Sequence, residues 1–386
     1  MGSDDANRLA LIGALFWGSM APSYVFVAIY LKSSGLDYAT IGLVSTASVL
    51  ASSIPQIAFG RLIDRYGKHG LLIALSLFFR ALCLTMVALA TDVWSIAFWF
   101  VAAGLPMSLF MPSMQSIVAR ISVPDTMGIS MGLYRLGGSA GWAVMCLVSG
   151  LVASAFSDFR LAFGLGALLS VLDFLLSLPL ANQPDHPKPL PVIEQGKPSR
   201  RTEQGSPFYA SVFLGSLGLG ATSSFVTVLL AELGGGPLMI GAVLAVGAMA
   251  EIPAMYLGGK MSDKYGALWV LSAGMAGLAV SYALYGVLNA LFAYLFAQAL
   301  RGLFYGLFTV SGMAMSSSLG GAEKGGLYAG FYNLISTLGS SSGPYIGGLI
   351  SDQLGLRTMY WFSSAVSLLG SGLSAAGSLV SRRRGQ

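Results

Sequence analysis

The sequence has little charge and few of the side chains that bind metals or cleave bonds. Only 10% of its 386 residues are charged, and it contains 2 cysteines and 2 histidines. A soluble domain carries roughly 25% charged residues, so this chain lacks the polar surface of a water-soluble globule. Cys83 and Cys146 both lie in apolar stretches and are expected to be small buried side chains, because neither a disulfide nor a metal site is indicated.

Other absences exclude several functional classes. His69 and His186 fall in separate loops, so no nucleophile and base are paired, and neither an enzyme nor a cofactor or metal site is predicted. No loop reads G-x-x-x-x-G-K-[ST], which excludes ATP as an energy source within this chain. A nucleic-acid partner would require a solvated basic domain, and the sequence has none. Residues 9–31 are too long for the apolar core of a signal peptide, so no cleaved leader is expected.

Long apolar stretches dominate what remains. The chain is 55% hydrophobic, with a mean hydropathy of +0.74. A helix needs about 20 mostly apolar residues to cross the hydrocarbon core of a bilayer. The fold class predicted is therefore an all-α integral membrane protein in contact with membrane lipids. Its twelve transmembrane helices are predicted at residues 9–31, 40–59, 70–91, 94–119, 127–153, 161–180, 207–231, 238–258, 267–288, 291–317, 326–350 and 358–380.

The basic residues predict the orientation of these spans. If the N-terminus is cytoplasmic, most of the 21 Lys and Arg residues fall on the cytoplasmic side. Only Lys32, Arg160 and Arg357 fall on the other side. Lys and Arg are retained preferentially in cytoplasmic loops, so both termini are predicted to be cytoplasmic, in a cell (inner or plasma) membrane. The net charge of +5 reflects this orientation.

The two halves of the sequence repeat each other. The charged turn from Gly60 to Lys68 (Gly-Arg-Leu-Ile-Asp-Arg-Tyr-Gly-Lys) recurs as Gly259–Gly266 (Gly-Lys-Met-Ser-Asp-Lys-Tyr-Gly). Between the halves, the Pro-rich and charged segment 181–206 is predicted to be a flexible cytoplasmic linker. The domains are therefore an N-terminal bundle at residues 1–180 and a C-terminal bundle at residues 207–386. Internal repeats are a common plan of secondary transporters.

A second repeated pattern leads to a family resemblance. Asp125–Arg135 parallels Glu323–Asn333, and each leads into a run of small residues, at Gly137–Gly141 and Gly339–Gly348. Over essentially its whole length the chain resembles the major facilitator superfamily, because the Gly60–Lys68 turn is similar to that family's loop between helices 2 and 3. The resemblance implies two pseudo-symmetric six-helix bundles that transport a small molecule by alternating access, with a monomer expected.

Two further motifs occupy unusual positions for the family. Gly343-Pro344-x-x-Gly347-Gly348 is similar to a Gly-Pro motif that antiporters of the family carry in helix 5, but here it lies in the eleventh span. In the fifth span, Trp142 stands where the proline is expected. Gln298–Gly302 is similar to an Arg-containing motif of helix 4, but here it lies in the tenth span.

The resemblance also implies a cytoplasmic gate. Asp64 and Asp263 end the second and eighth spans, and each is expected to latch the start of a facing helix, because a carboxylate is stabilised beside a helix N-terminus. Arg65 is either a partner in this latch or a positive anchor. The turn glycines of the predicted latch are Gly60 and Gly67.

Five ionisable residues lie inside predicted spans, namely Arg80, Arg135, Asp173, Glu251 and Arg301. An unpaired charge inside a membrane is costly, so each is a candidate for function. Arg135 and Glu251 are predicted to pair between the two bundles at the gate, or alternatively each pairs within its own bundle. Glu251 is the first candidate for proton coupling and Asp173 the second, although structural pairing of Asp173 and Arg80 inside the N-terminal half is also open. Arg301 meets either a substrate anion or carbonyl, or the carbonyls of a neighbouring helix.

The helices that line the central cavity in the resembled family are apolar here. Met and aromatic side chains favour contacts with varied apolar ligands, whereas a sugar site would need more amides and acids to match hydroxyl groups. The predicted cavity residues are Phe16, Trp17, Tyr24, Met107, Met111, Gln115, Phe225, Arg301, Tyr305 and Asn333, with Thr222 and Ser224 beside Phe225.

These features favour a secondary active transporter of a small amphiphilic organic solute, with proton-coupled efflux as the first hypothesis. The alternative is uptake, by symport or facilitated diffusion, of a small organic anion or a sugar. A facilitator without any coupling ion also fits the lack of acidic residues in the first and fourth spans.

The predicted gate pair is tested by exchanging its charges. Arg135→Glu and Glu251→Arg should each impair transport, because each places like charges together in a poorly hydrated gate. The double variant should recover transport and cytoplasmic accessibility of the gate. Failure of the double variant to rescue either single reversal would count against the pair.

Overall fold

In a computed structural model of the chain, residues 3–56, 58–60, 68–121, 127–181 and 205–384 are described. Within these ranges the chain is almost entirely α-helical. The helices are α1 (Ser3–Ser33), α2 (Tyr38–Ser53), α3 (His69–Leu89), α4 (Val93–Ala102), α5 (Gly104–Ile121), α6 (Met127–Phe156), α7 (Phe159–Ala181), α8 (Gly205–Glu232), α9 (Pro237–Tyr265), α10 (Ala267–Val287), α11 (Ala293–Leu354) and α12 (Leu356–Arg384).

Ten segments of the described residues are long and apolar enough to cross a membrane. Each coincides with one of the predicted spans, and the fourth of them, Val93–Ile117, runs through both α4 and α5. The predicted continuous helix is therefore interrupted at Ala103, between these two helices. Pro106 explains the break, because proline has no N–H to donate to the carbonyl four residues earlier, at Ala102.

The two remaining predicted spans lie within the single long helix α11. In a straight helix, residues 312 and 332 would be about 30 Å apart. Instead, a Cβ atom added to Gly312 would lie 2.7 Å from Cε2 of Tyr332. The chain therefore doubles back between these residues, and its two legs correspond to the spans predicted at 291–317 and 326–350.

The contacts divide the chain into two units. The first holds Met1–Leu36, Ala47–Leu190 and Leu230–Ala245, and the second holds Asp37–Thr46, Pro191–Leu229 and Val246–Gln386. Each unit is built mainly from one half of the sequence and includes a short segment from the other half. In the first, α1 packs on α6 and α7, and α3 packs on α7 and α5; in the second, α10 packs on α11 and α12.

Small residues bring helix backbones together at equivalent places in both units. In the first unit, a Cβ added to Gly141 on α6 would overlap the carbonyl oxygen of Ala14 on α1. In the second, a Cβ added to Gly339 on α11 would lie 2.5 Å from the carbonyl oxygen of Phe213 on α8. Small residues allow this approach between membrane helices, where no hydrophobic force draws them together. The repeated small-residue runs of the sequence are therefore helix contact surfaces.

A second pair of contacts sets the alignment of the two repeats. Gly42 on α2 approaches the carbonyl of Pro344 within the second unit, and Gly241 on α9 approaches the carbonyl of Cys146 within the first. Gly42 and Gly241 occupy the same place in the two repeats, because each follows an isoleucine, Ile41 or Ile240. The residues that they contact, Pro344 and Cys146, are therefore equivalent. The alignment of Asp125–Arg135 with Glu323–Asn333 gives the same correspondence. That the family's proline in the fifth span is expected at Trp142 stays a prediction.

The turns before α2 and α9 are also equivalent. Gly35 and Gly234 have φ angles of 90° and 82°. Leu36 and Gly235 donate their N–H groups to the carbonyls of Leu31 and Leu230, which closes a Schellman motif at the end of α1 and of α8. These short turns hold the first residues of α2 and α9 close to the preceding helix ends.

The glycine contact between α1 and α6 gives a prediction about stability. Gly141→Ala should destabilise the protein by about 1–3 kcal/mol, because the added methyl group overpacks a backbone contact. Gly164→Ala on α7 is the matched control, since nothing lies within 4 Å of a Cβ added there. Thermal unfolding in detergent should show a lower Tm for the first variant only. Equal Tm values for the two variants would contradict the contact.

Candidate functional site

Two buried ionisable side chains occupy the interior of the first unit. Arg80 on α3 is 1% exposed and Asp173 on α7 is 0% exposed. Nε of Arg80 donates to Oγ of Ser19 at 3.2 Å, and a terminal nitrogen donates to the carbonyl of Phe16 at 3.5 Å. The guanidinium carbon also lies 4.2 Å from the centroid of the Phe16 ring. Arg80 therefore connects α3 to α1.

Asp173 does not complete this hydrogen-bond network. Neither of its carboxylate oxygens has a hydrogen-bond partner, although the side chain interacts electrostatically with Arg80. One terminal nitrogen of Arg80 also lacks a partner. The structural pairing predicted from the sequence is thus seen as proximity of charge without a bond between the two side chains.

The predicted aromatic residues of α1 form a row with a residue of α6. The Trp17 and Trp142 ring centroids are 6.5 Å apart, and those of Tyr24 and Trp142 are 5.1 Å apart. Phe16 stacks on Phe110 of α5 at 3.8 Å. Phe16 is fully buried in the core, whereas Trp17 and Trp142 are half-buried and Tyr24 is exposed. Trp142 was noted in the sequence only at the expected position of a proline and was not among the predicted cavity residues, although its position in the small-residue run of α6 was an available signal.

The predicted α5 residues extend this apolar surface. Met107 and Met111 are partly buried and pack with Trp17 against the core cluster that contains Phe16 and Phe110. Gln115 is exposed, one turn further along the helix. The first unit therefore brings aromatic and methionine side chains together on neighbouring helices, as expected for an adaptable apolar surface.

In the second unit, α9 and the first leg of α11 place three predicted residues near one another. Gly302 approaches the backbone of Gly247, and a Cβ added to Gly306 would lie 3.0 Å from the carbonyl oxygen of Glu251. Arg301 lies in this contact region, with its guanidinium carbon 5.6 Å from the centroid of the Tyr305 ring. Glu251 is half-buried. This packing places a carboxylate and a guanidinium on adjacent helices of the same unit.

A buried polar pair near Arg301 was not predicted from the sequence. The hydroxyl of Tyr285 on α10 donates to Oε1 of Gln298, one turn before Arg301. Tyr285 and Gln298 are both buried. Gln298 belongs to the motif noted in the sequence, but its tyrosine partner lies on another helix and no local pattern identifies it.

The other two predicted cavity residues of the second unit lie apart from this cluster. Phe225 on α8 is fully buried, with its ring centroid 5.8 Å from that of Tyr38. Asn333 on the second leg of α11 is exposed. Thr222 is buried and Ser224 half-buried, and each bonds a carbonyl of its own helix. Direct contact of these residues with a substrate stays a prediction.

The predicted cytoplasmic gate lies only partly within the described residues. Asp64, Arg65 and Gly67 lie outside them. Gly60 is half-buried, with nothing within 4 Å of an added Cβ, and Asp263 is exposed in the last turn of α9. Arg135 is exposed on α6. Arg135 and Glu251 belong to different units, so their pairing stays a prediction.

A carboxylate at the N-terminus of α2, which the sequence analysis did not identify, forms the contact that we call the Asp352 clasp. The N–H groups of Tyr38 and Ala39 donate to Oδ1 and Oδ2 of Asp352 on α11, at 2.9 and 2.7 Å. The N–H of Thr40 donates to Oδ1 of Asp37 at 2.9 Å. The first N–H groups of a helix have no partner within it, so α2 depends on a carboxylate more than 300 residues away in sequence. All of these residues belong to the second unit.

The equivalent helix start in the first unit has one backbone donor fewer to satisfy. There α9 begins at Pro237, whose nitrogen has no hydrogen to donate. Gly150 on α6 approaches the carbonyl of Pro237. In the same way, Gly348 on α11 approaches the carbonyl of Tyr38. In this alignment, Ser154 occupies the position of Asp352. The two helix starts therefore pack alike, but only α2 is held by a charge from another helix.

The described residues contain no group of three or more His, Cys, Asp or Glu side chains placed to share a metal ion. Cys83 and Cys146 are buried free thiols.

Comparisons with known proteins agree with this architecture. The chain is 26% identical to an uncharacterized MFS-type transporter, MJ1560 of Methanocaldococcus jannaschii, over 161 residues, which are 42% of each protein. It is 23% identical to the multi-drug resistance efflux pump PmrA homolog of Lactococcus lactis over 365 residues, covering 90% of this chain and 88% of that protein. The first relative thus matches less than half of its own length, and the second matches nearly all of it.

A solved structure has the same fold. The crystal structure of a bacterial homolog of the human lysosomal transporter Spinster, inward-facing and occupied, superposes with a TM-score of 0.80 at 14% identity, over 97% of this chain and 96% of that one. The profile of the MFS_1 like family matches residues 8–362. The chain therefore belongs to the MFS_1 like family of the major facilitator superfamily and is a multi-pass membrane transporter.

Proposed function

We propose that this transporter exports a small amphiphilic organic solute in exchange for protons. The observation that carries the proposal is the aromatic and methionine surface of the first unit, where Trp17, Tyr24 and Trp142 lie beside Met107 and Met111. Such side chains repack around apolar ligands of different shape. The relative from Lactococcus lactis, which aligns over most of its length, is named as a multidrug efflux pump and supports this direction.

An alternative cargo has one specific observation in its favour. Arg301 and Tyr305 combine a guanidinium with an aromatic ring in the second unit. Arginine is well suited to carboxylate and phosphate groups, so uptake of a small organic anion would use this pair. Glu251 lies on the adjacent helix, where its backbone carbonyl packs against Gly306. A carboxylate on that helix would disfavour an anionic solute, which makes export of a neutral or cationic solute the stronger proposal.

The proposed mechanism is alternating access by a monomer in the cell membrane, with both termini cytoplasmic. In this orientation the Asp352 clasp faces outward, because α2 begins after the first outward crossing. An outward opening that separates α2 from α11 has to break the two bonds from Tyr38 and Ala39 to Asp352. The clasp would thus stabilise the outward-closed state.

Transport by purified protein in liposomes tests the proposed function. Relative to protein-free liposomes, ethidium, an amphiphilic dye, should move faster when a pH gradient is imposed, whereas the protein should not change the movement of benzoate or methyl glucoside. Faster movement of benzoate alone would favour the anion alternative. Movement of ethidium through the protein that ignores the gradient would contradict proton exchange.

The aromatic surface gives a residue-level prediction for the same assay. Trp142→Ala should weaken dye binding by about 0.5–1.5 kcal/mol, which is roughly a two- to twelvefold increase in Kd. Trp94→Ala is the matched control, because Trp94 is 62% exposed on α4 and makes no part of this surface. An unchanged Kd for the first variant, or an equal change in both, would remove Trp142 from the binding surface.

The clasp predicts a change in conformational equilibrium. Asp352→Ala removes a helix-capping carboxylate, which costs about 1 kcal/mol and should shift the equilibrium toward the outward-open state by about fivefold. The probe is Ile41→Cys in a background carrying Cys83→Ala and Cys146→Ala, because Ile41 is 0% exposed in α2. Its maleimide labelling from outside should accelerate in the Asp352→Ala variant.

Asp158→Ala is the matched control for this measurement. Asp158 is exposed in the turn between α6 and α7, on the same predicted face, and its carboxylate bonds only the nearby N–H of Arg160. Equal acceleration in both variants would show a general effect of surface charge. Unchanged labelling in Asp352→Ala would show that the clasp does not hold this end closed.

A further inference from the structure

We propose that Asp173 binds the coupling proton, and that Arg80 exchanges hydrogen bonds between α1 and Asp173 as this proton binds and leaves. The proposal rests on the proton exchange put forward above and assigns it to one carboxyl group. It places the proton site inside the first unit, between α3 and α7.

The burial of Asp173 is the first argument. Its side chain is 0% exposed, and neither oxygen accepts a hydrogen bond. An ionised carboxylate in such surroundings is far more costly than a neutral carboxylic acid, because its charge is neither hydrated nor bonded. The arrangement in this structure therefore fits the protonated acid.

The position of Arg80 is the second argument. A guanidinium stays charged under physiological conditions, and a carboxylate nearby would attract it. In the structure, Arg80 is bonded to Ser19 and Phe16 of α1, at 3.2 and 3.5 Å. Charge-assisted bonds are usually about 2.7–2.9 Å, so these contacts are weak and easily exchanged. A terminal nitrogen of Arg80 remains available for a carboxylate.

The neighbouring groups leave Asp173 with one charged partner. Arg80, from α3, is the ionisable group that acts electrostatically on Asp173, and Cys83 acts in turn on Arg80. From α1, the facing polar groups are the hydroxyl of Ser19 and the carbonyl of Phe16, which do not titrate in the physiological range. When the acid releases its proton to water, the carboxylate formed and the charged Arg80 make a neutral pair. Proton release thus converts an isolated buried cation into an ion pair.

Glu251 is a less suitable site for the same proton. It is half-buried and has polar or charged contacts of its own, next to the helix that carries Arg301. Asp173 is the fully buried acid of the described region.

The exchange of Arg80 reaches the proposed substrate surface by direct contact. The guanidinium carbon lies 4.2 Å from the Phe16 ring centroid, and the Phe16 and Trp17 ring centroids are 5.7 Å apart. Withdrawal of Arg80 toward Asp173 would remove its contacts with α1 at Phe16 and Ser19. Proton release would in this way loosen the helix that carries Trp17 and Tyr24.

Infrared spectroscopy of the purified wild-type protein tests the protonation directly. At neutral pH, isotope-labelled aspartate should shift the carbonyl band of a protonated carboxylic acid, because the exposed aspartates are ionised and show no such band. The Asp173→Asn variant should lack this band, and Asp158→Asn, at an exposed position, should retain it. Absence of a label-sensitive band in the wild type would overturn the proposal without the use of any variant.

Transport assays test the coupling. Asp173→Asn imitates the protonated acid, which in an exchange for protons crosses the membrane without the solute, so this variant should lose both ethidium exchange at equal pH and the acceleration by a pH gradient. Asp173→Glu should recover part of this response, because it restores a titratable carboxyl group. Asp158→Asn should behave as the wild type.

The possible failures are distinguishable. If the wild type does not respond to a pH gradient, the proposed proton exchange fails, and the infrared band alone decides whether Asp173 holds a proton. If the wild type responds and Asp173→Asn responds equally, Asp173 is not the coupling site. If Asp173→Asn does not fold, two other results decide. The proposal is overturned if the infrared spectrum shows an ionised Asp173. It is also overturned if Asp173→Glu folds but shows no response to the gradient.

Discussion

Close backbone contact between helices at glycine is the constraint on which the rest of this structure depends. Lipid does not drive apolar helices together, so their association relies on shape and on polar contacts. Gly141 against Ala14 and Gly339 against Phe213 bring α6 to α1 and the second leg of α11 to α8. These contacts fix the axial position of each helix relative to its neighbour. The fixed axial positions in turn place Trp142 beside Tyr24 and Asp352 beside the start of α2.

The repeat provides a common scaffold, and the few charges distinguish its two copies. Both copies have a short Schellman turn followed by a helix start that packs on a glycine. One helix start donates two N–H groups to Asp352, and the other begins with Pro237, which has no N–H to donate. Similarly, the buried pair of Arg80 and Asp173 belongs to the first unit alone. Because a charge is costly inside a membrane, such asymmetric positions are where function is expected.

The helices, the repeat and the family were predictable from the sequence, because apolar length and small-residue runs are local patterns. The break at Ala103 was also encoded, since Pro106 removes a donor from the helix. The role of Asp352 was not predictable. Its partners are the N–H groups of Tyr38 and Ala39, which lie far away in the chain, and any residue except proline supplies such a backbone donor.

The amino-acid sequence by itself determined that this protein spans a membrane as two related sets of helices, since hydropathy and span length depend only on the order of residues. It also determined which ionisable side chains must enter the apolar region. Only the tertiary structure decided which of them meet: Arg80 bonds α1 while Asp173 stays without a hydrogen bond, and Asp352 caps α2. Contacts between helices depend on axial height and rotation, which are settled by packing across the whole unit and not by any local pattern.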